Sequence, residues 1–76
     1  MEIKTLHRIY DDNGKECCPG DIVLLQTKDM DDVMQATIDT IMTNMAVFIL
    51  DDRAIGYVPI KARVKDIRSI TLYSKK

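Results

Sequence analysis

The sequence predicts an all-β protein: a small antiparallel barrel of five to six strands with one short helical turn. Short apolar runs alternate with turn-forming residues along the whole chain, a pattern typical of small barrels and sandwiches. The segment 33–50 is rich in β-branched residues, which favour strands over helices. With 76 residues, of which 46% are hydrophobic and 30% charged, the chain can fill one core, and we expect a single domain over residues 1–76.

The first part of the chain is expected to form two strands, each beside a turn. The Asn-Gly pair within Asp11–Lys15 supplies two residues that tolerate positive φ, which predicts a tight primed turn. In Ile3–Tyr10 before it, the apolar residues fit a helical stripe about as well as a strand, and the adjacent Asn-Gly turn and β-forming residues favour the strand. Pro19–Asp21 marks a second break, and Ile22–Leu25 is short enough for a buried strand. The polar stretch Gln26–Asp32 predicts an exposed loop.

The segment 33–50 decides the fold class. As a strand, this segment places Ala36, Ile38 and Met42 on its inner face. Gln35, Thr37 and Asp39 then lie on its outer face. A bulge near Thr40 is needed to bring Ile41 inward, and Thr43–Asn44 would turn the chain into a second strand. The alternative is an α+β fold with a helix over about residues 31–44, because Met and Ile residues there also follow a helical period. Its β-branched residues disfavour that helix.

The last third of the chain predicts two strands around one helical turn. Asp51–Arg53 is expected to be a turn and Ala54–Ile60 a short strand. Pro59 lacks an amide donor, so this strand is expected at an edge or end of the sheet. Ala62–Asp66 has the length of a single helical turn, and Ile67–Tyr73 closes the chain as the last strand.

Three short motifs resemble those of the Src-homology-3-like barrels: Tyr10-Asp11-Asp12, Gly20-Asp21-Ile22-Val23, and Gly56-Tyr57-Val58-Pro59 followed by Val64 and Ile67. The resemblance implies the small-barrel topology over most of residues 10–67. Peptide-binding members carry a Trp in their groove, and this chain has none. Lys61-Ala62-Arg63 replaces the family's Asn-Tyr pair, so binding of proline-rich peptides is not implied.

Charge is distributed unevenly along the chain. Residues 1–52 carry four bases and eleven acids, a balance of −7, whereas residues 53–76 carry seven bases and one acid, a balance of +6. Such asymmetry suggests a charged macromolecular partner. The alternative is that the strands interleave in space and the signs mix.

The basic final third supplies the candidate binding residues. A protein partner is the first choice, through a surface carrying Tyr57, Pro59, Lys61 and Arg63. Nucleic-acid binding, as in Sm-like barrels, is the alternative, and it would use Arg53, Lys61, Arg63, Lys65 and Arg68. A metal or redox protein using Cys17 and Cys18 is a distant third class, because adjacent cysteines do not match the usual metal-ligand spacing.

No catalytic constellation is evident, so we expect no enzymatic activity and no cofactor. His7 has no paired nucleophile in a recognisable setting. The Asp pairs at 11–12, 31–32 and 51–52 are expected to form turns, with a weak calcium site or phosphate mimicry as alternatives. A binding module of this size would suit an accessory or regulatory protein of a phage or mobile element, and it could pair into a homodimer or ring.

Neither a membrane span nor a signal peptide is expected. No run approaches the roughly 18 apolar residues of a spanning helix, and Met1–Lys4 begins no long apolar stretch. We therefore expect a cytoplasmic protein.

Overall fold

The structure is a computed structural model that describes residues 8–75, and its regular elements are strands apart from one three-residue 3₁₀ turn. The strands are β1 (Ile9–Tyr10), β2 (Glu16–Cys17), β3 (Ile22–Thr27), β4 (Met34–Ile41), β5 (Met45–Asp52), β6 (Gly56–Arg63) and β7 (Ile67–Ser74), and the turn is Val64–Asp66. The all-β prediction is confirmed, and the alternative helix over 31–44 is wrong. No helix within residues 8–75 has the length and apolar character needed to cross a membrane.

Five strands form one antiparallel sheet in the order β6-β5-β4-β3-β7, and β1 pairs with β2 in a separate hairpin. The hydrogen-bonded pairing within residues 8–75 does not join β6 to β7. The sheet is therefore open rather than closed into the predicted barrel, and β6 and β7 are its outer strands. The prediction that Pro59 lies on an edge strand is confirmed.

The core lies on one face of this sheet, where alternate side chains are buried. Its largest fully buried side chains are Phe48, Leu25, Ile38, Val23 and Cys17. In β4 the predicted inner face is correct at Ala36 and Ile38. A register shift between Ile38 and Thr40 turns Ile41 towards the core, as the predicted bulge requires. The prediction for Met42 is wrong, because it follows the end of β4 and is 38% exposed.

Three boundaries differ from the sequence-based expectation because pairing extends the strands. Gln26 and Thr27 continue β3 instead of starting a loop, since both pair with β7. Asp51–Asp52 continues β5 opposite Tyr57 and Gly56, so the turn is at residues 53–55. Ala62 and Arg63 belong to β6, which leaves only Val64–Asp66 for the 3₁₀ turn.

The β1–β2 hairpin has a wider loop than predicted. Tyr10 pairs with Glu16, so five residues form the connection. Gly14 has a φ of 84°, whereas Asn13 does not adopt a positive φ, so the primed turn is wrong. Most of the predicted strand Ile3–Tyr10, together with His7, lies outside the described residues.

Candidate partner-binding edge

The four residues predicted for protein binding lie together on one face of the outer strand β6. Side chains alternate along a strand, and the inner set here is Val58, Ile60 and Ala62, which pack against or belong to the core. The outer set is Tyr57, Pro59, Lys61 and Arg63, all of which are exposed. We call these four side chains the β6 face. Successive members are separated by about 6.6 Å of strand.

The main chain of β6 also presents polar groups at its free edge. The amide of Val64 donates to the carbonyl of Asn44 at 3.0 Å, which continues the β5–β6 ladder one residue beyond Arg63. In an antiparallel ladder, residue pairs that exchange two hydrogen bonds alternate with pairs that exchange none. No register shift interrupts the β5–β6 ladder. The amides of Tyr57, Lys61 and Arg63 therefore point away from β5. Pro59, which has no amide hydrogen, has the same outward phase, so the sheet loses no hydrogen bond there.

The cations of the β6 face are not neutralised within residues 8–75. The three salt bridges in that part of the chain are Arg8–Glu16 at 3.4 Å, Lys28–Asp66 at 3.7 Å and Lys75–Asp21 at 3.1 Å. None of them includes Lys61 or Arg63. Tyr57 adds an aromatic ring that is 76% exposed. The edge thus combines two uncompensated positive charges with an aromatic and a rigid apolar side chain.

The residues of the nucleic-acid alternative are only partly brought together. Arg63 and Lys65 line one open depression with Asn44 and Val64. Arg53 lies in the turn before β6, and the length of the strand, about 23 Å at its usual rise, separates the two ends. Arg68 is exposed on the opposite outer strand β7.

The outer edge of β7 differs from that of β6 because two carboxylates cover it. Asp11 accepts a hydrogen bond from the Leu72 amide at 3.0 Å, and Asp12 accepts one from the Ile70 amide at 3.3 Å. The Asp12 amide also donates to the Ile70 carbonyl at 2.9 Å. The hairpin loop is thereby fixed to β7. Local sequence patterns do not reveal this role, because the partners lie about 60 residues away in the chain.

Asp11 organises its own loop as well. Its other carboxylate oxygen accepts from the Asn13 amide at 2.9 Å and the Lys15 amide at 2.8 Å. The backbone amides of Leu72 and Lys15 lower the pKa of the Asp11 carboxyl, although partial desolvation opposes them. Asp11 lies in the loop between β1 and β2, as expected for a turn residue, but it is only 5% exposed because its carboxylate is bound to backbone amides.

The two adjacent cysteines occupy different environments. Cys17 is 1% exposed and Cys18 is half-buried, and both are free thiols. Burial raises the pKa of the Cys17 thiol, which keeps it in the less reactive protonated form. In the part of the chain that the structure describes, no three His, Cys, Asp or Glu side chains are grouped so that they could hold a metal ion.

Comparison with known proteins finds no matching family model, no similar curated protein and no similar solved structure. The resemblance to Src-homology-3-like barrels therefore stays a prediction. Of the motifs that suggested it, Gly20–Val23 leads into β3, and Gly56–Pro59 opens β6.

Proposed function

We propose that this chain is a non-enzymatic binding module that engages a protein partner through the β6 face. The observation that carries the proposal is the exposure of Tyr57, Pro59, Lys61 and Arg63 on an outer strand whose second edge pairs with no strand within residues 8–75. Such a module would act by positioning or blocking its partner. That role suits an accessory or regulatory protein of a phage or mobile element.

The residue types of the β6 face support a protein interface. Tyrosine and arginine are enriched at interface hot spots, because each combines a large contact area with hydrogen-bonding groups. Lys61 and Arg63 would steer an acidic partner towards the edge and fix its orientation. Pro59 is already rigid and loses little conformational freedom when it is covered.

Nucleic-acid binding is the second candidate function. The observation that favours it is the shared depression of Arg63 and Lys65, beside which a phosphate group could be held. Against it, the described aromatic side chains Tyr10, Phe48, Tyr57 and Tyr73 form no stacking platform, since Phe48 is fully buried and the others belong to three different strands.

The experiment is a quantitative capture with matched charge variants. The double variant Lys61→Glu with Arg63→Glu alters the β6 face, and Arg53→Glu with Arg68→Glu changes net charge equally outside it. Each purified protein is immobilised and exposed to an extract of its source cells, and the protein enriched by the wild type is then purified and titrated. We expect the first pair to weaken affinity by about tenfold or more, and the control pair to change it little.

Two results would overturn the proposal. One is equal affinity of the captured protein for the wild type and the Lys61, Arg63 variant. The other is an oligonucleotide affinity that falls steeply with salt and is weakened by both variant pairs, which would establish the nucleic-acid alternative.

A further inference from the structure

We infer that the partner contributes an extended acidic segment, which adds to β6 as an antiparallel sixth strand of the large sheet. This inference rests on the proposed function and specifies how the β6 face would be recognised. It follows from three features of the sheet: the outward main-chain groups of β6, the order of the side chains on the β6 face, and the carboxylates that cover the edge of β7.

The main-chain groups of β6 match the requirements of strand addition. The Val64–Asn44 hydrogen bond fixes which residues of β6 are hydrogen-bonded to β5. Tyr57, Lys61 and Arg63 are not among them, so their amide and carbonyl groups point outward. A strand laid against them would exchange hydrogen bonds with each of these residues. At Pro59 the added strand would receive no amide donor, so the pairing has one fixed gap.

The side-chain order on β6 defines the sequence pattern of the added strand. Opposed side chains in an antiparallel pair lie about 5 Å apart on the same face of the sheet. Acidic residues two positions apart would therefore face Arg63 and Lys61, which have no ion-pair partner within residues 8–75. Further along, apolar residues would face Pro59 and Tyr57. The expected pattern, from amino to carboxyl end, is acidic-x-acidic-x-apolar-x-apolar.

A second copy of the chain is a poorer occupant of this edge. Two β6 strands fully overlapped about a two-fold axis would place Lys61 opposite Pro59 and Arg63 opposite Tyr57 of the other copy. The four cations would gain no counter-charge, and each Pro59 would remove one amide donor. Pairing of β6 with β7 of another copy is obstructed, because Asp11 and Asp12 already occupy the amides of Leu72 and Ile70.

The probe is the blocked peptide Thr-Glu-Thr-Glu-Thr-Val-Thr-Val-Thr, titrated against the full chain by fluorescence anisotropy. Its Glu and Val amides would face β6, and its Thr amides would face solvent. We expect N-methylation of the two Glu amides to weaken binding by about tenfold or more, and N-methylation of the two Thr amides that follow them to have little effect. A peptide with Lys in place of Glu should bind weakly to the wild type and better to the Lys61→Glu, Arg63→Glu variant.

Pro59→Val provides an independent test on the protein side. The valine restores an amide donor at an outward position without disturbing the pairs with β5. Affinity for the peptide should rise by about threefold, in line with one additional hydrogen bond. An unchanged affinity would contradict strand addition, and near-ultraviolet dichroism would show whether the variant keeps its fold.

The outcomes separate this inference from the proposed function. If both N-methylated peptides bind equally, or if the unmodified peptide fails to bind, strand addition is wrong. Capture of a protein partner that still depends on Lys61 and Arg63 would then leave the proposed function standing. Concentration-dependent self-association that the peptide cannot compete with would overturn the inference in favour of a second copy.

Discussion

At the scale of single residues, Asp11 and Asp12 have the most consequential contacts. Their carboxylates accept hydrogen bonds from the Leu72 and Ile70 amides, which would otherwise lie unpaired on the outer edge of β7. Outer strands with unpaired amides promote unwanted pairing between chains, and covering them is one way in which proteins prevent it. The two residues thus cover the outer edge of β7, whereas the outer edge of β6 pairs with no strand within residues 8–75.

Asp11→Asn should lower the stability of the fold and reduce its dependence on pH. The Leu72 and Lys15 amides lower the pKa of the Asp11 carboxyl from its ordinary 3.8. Its contribution is therefore complete above that value and is lost as the pH falls through the lower folded pKa. Urea unfolding at pH 7 and at pH 3 would measure both effects. We expect the wild type to lose more stability between these values than the variant does.

The matched control is Asp29→Asn, which changes an exposed acid in the loop between β3 and β4. This variant should unfold at nearly the wild-type urea concentration at both pH values. If Asp11→Asn and Asp29→Asn behave alike, the Asp11 carboxylate does not hold the hairpin to β7.

At the scale of elements, β4 and β5 show how the alternation of the sequence becomes two different faces. Ile38 lies opposite Phe48 on the buried face, and both are almost fully inaccessible. Ile49 lies opposite Thr37 and Pro59 on the other face, where it is only half-buried. The same residue type thus has a core role in β4 and a surface role in β5.

Removing one methyl group from each isoleucine tests this assignment. Ile38→Val should lower the free energy of unfolding by about 1 kcal/mol, because it leaves a small cavity in the packed face. Ile49→Val should cost about 0.5 kcal/mol or less, because water can reach the vacated volume. Urea denaturation at pH 7 measures both. Equal losses, or a larger loss for Ile49→Val, would mean that the buried and outer faces have been assigned the wrong way round.

Much of this element structure could be predicted from the sequence, because its cause is local. The β-branched residues of 33–50 favour strands. Ile41 breaks the alternation of apolar and polar residues, which predicts the bulge seen between Ile38 and Thr40. The ends of β3 and β5 could not be predicted, since polar residues such as Thr27 and Asp51 are held in strands by their partners.

The candidate site was predicted in part for the same reason. Alternation in Tyr57–Arg63 places four side chains on one face, and Pro59 indicates an edge. The sequence around β6 does not show which of its amides point outward, and the sequence around β7 does not show that its edge is covered. Both features depend on which strands pair.

At the scale of the whole molecule, the part of the chain that the structure describes has one sheet edge covered by carboxylates, that of β7, and one that pairs with no strand, that of β6. Two acidic residues in the first half of the chain bind groups within the fold. Asp11 accepts hydrogen bonds from backbone amides. The nearly buried Asp21 forms a salt bridge with Lys75 and accepts a hydrogen bond from the Cys18 amide. On β5, Asp51 and Asp52 lie opposite Tyr57 and Gly56, at the end of β6 remote from Arg63. The basic residues at the other end of β6 take part in none of the salt bridges within residues 8–75.

Amide hydrogen exchange, followed by NMR on the full chain at pH 7, tests the open edge most directly. The account predicts fast exchange at Tyr57, Lys61 and Arg63, and slow exchange at Val58, Ile60 and Ala62 between them. Ile70 and Leu72 should also exchange slowly, because Asp12 and Asp11 cover their amides. Slow exchange at Tyr57, Lys61 and Arg63, equal to that of their neighbours, would show that the β6 edge is already covered and would contradict the account.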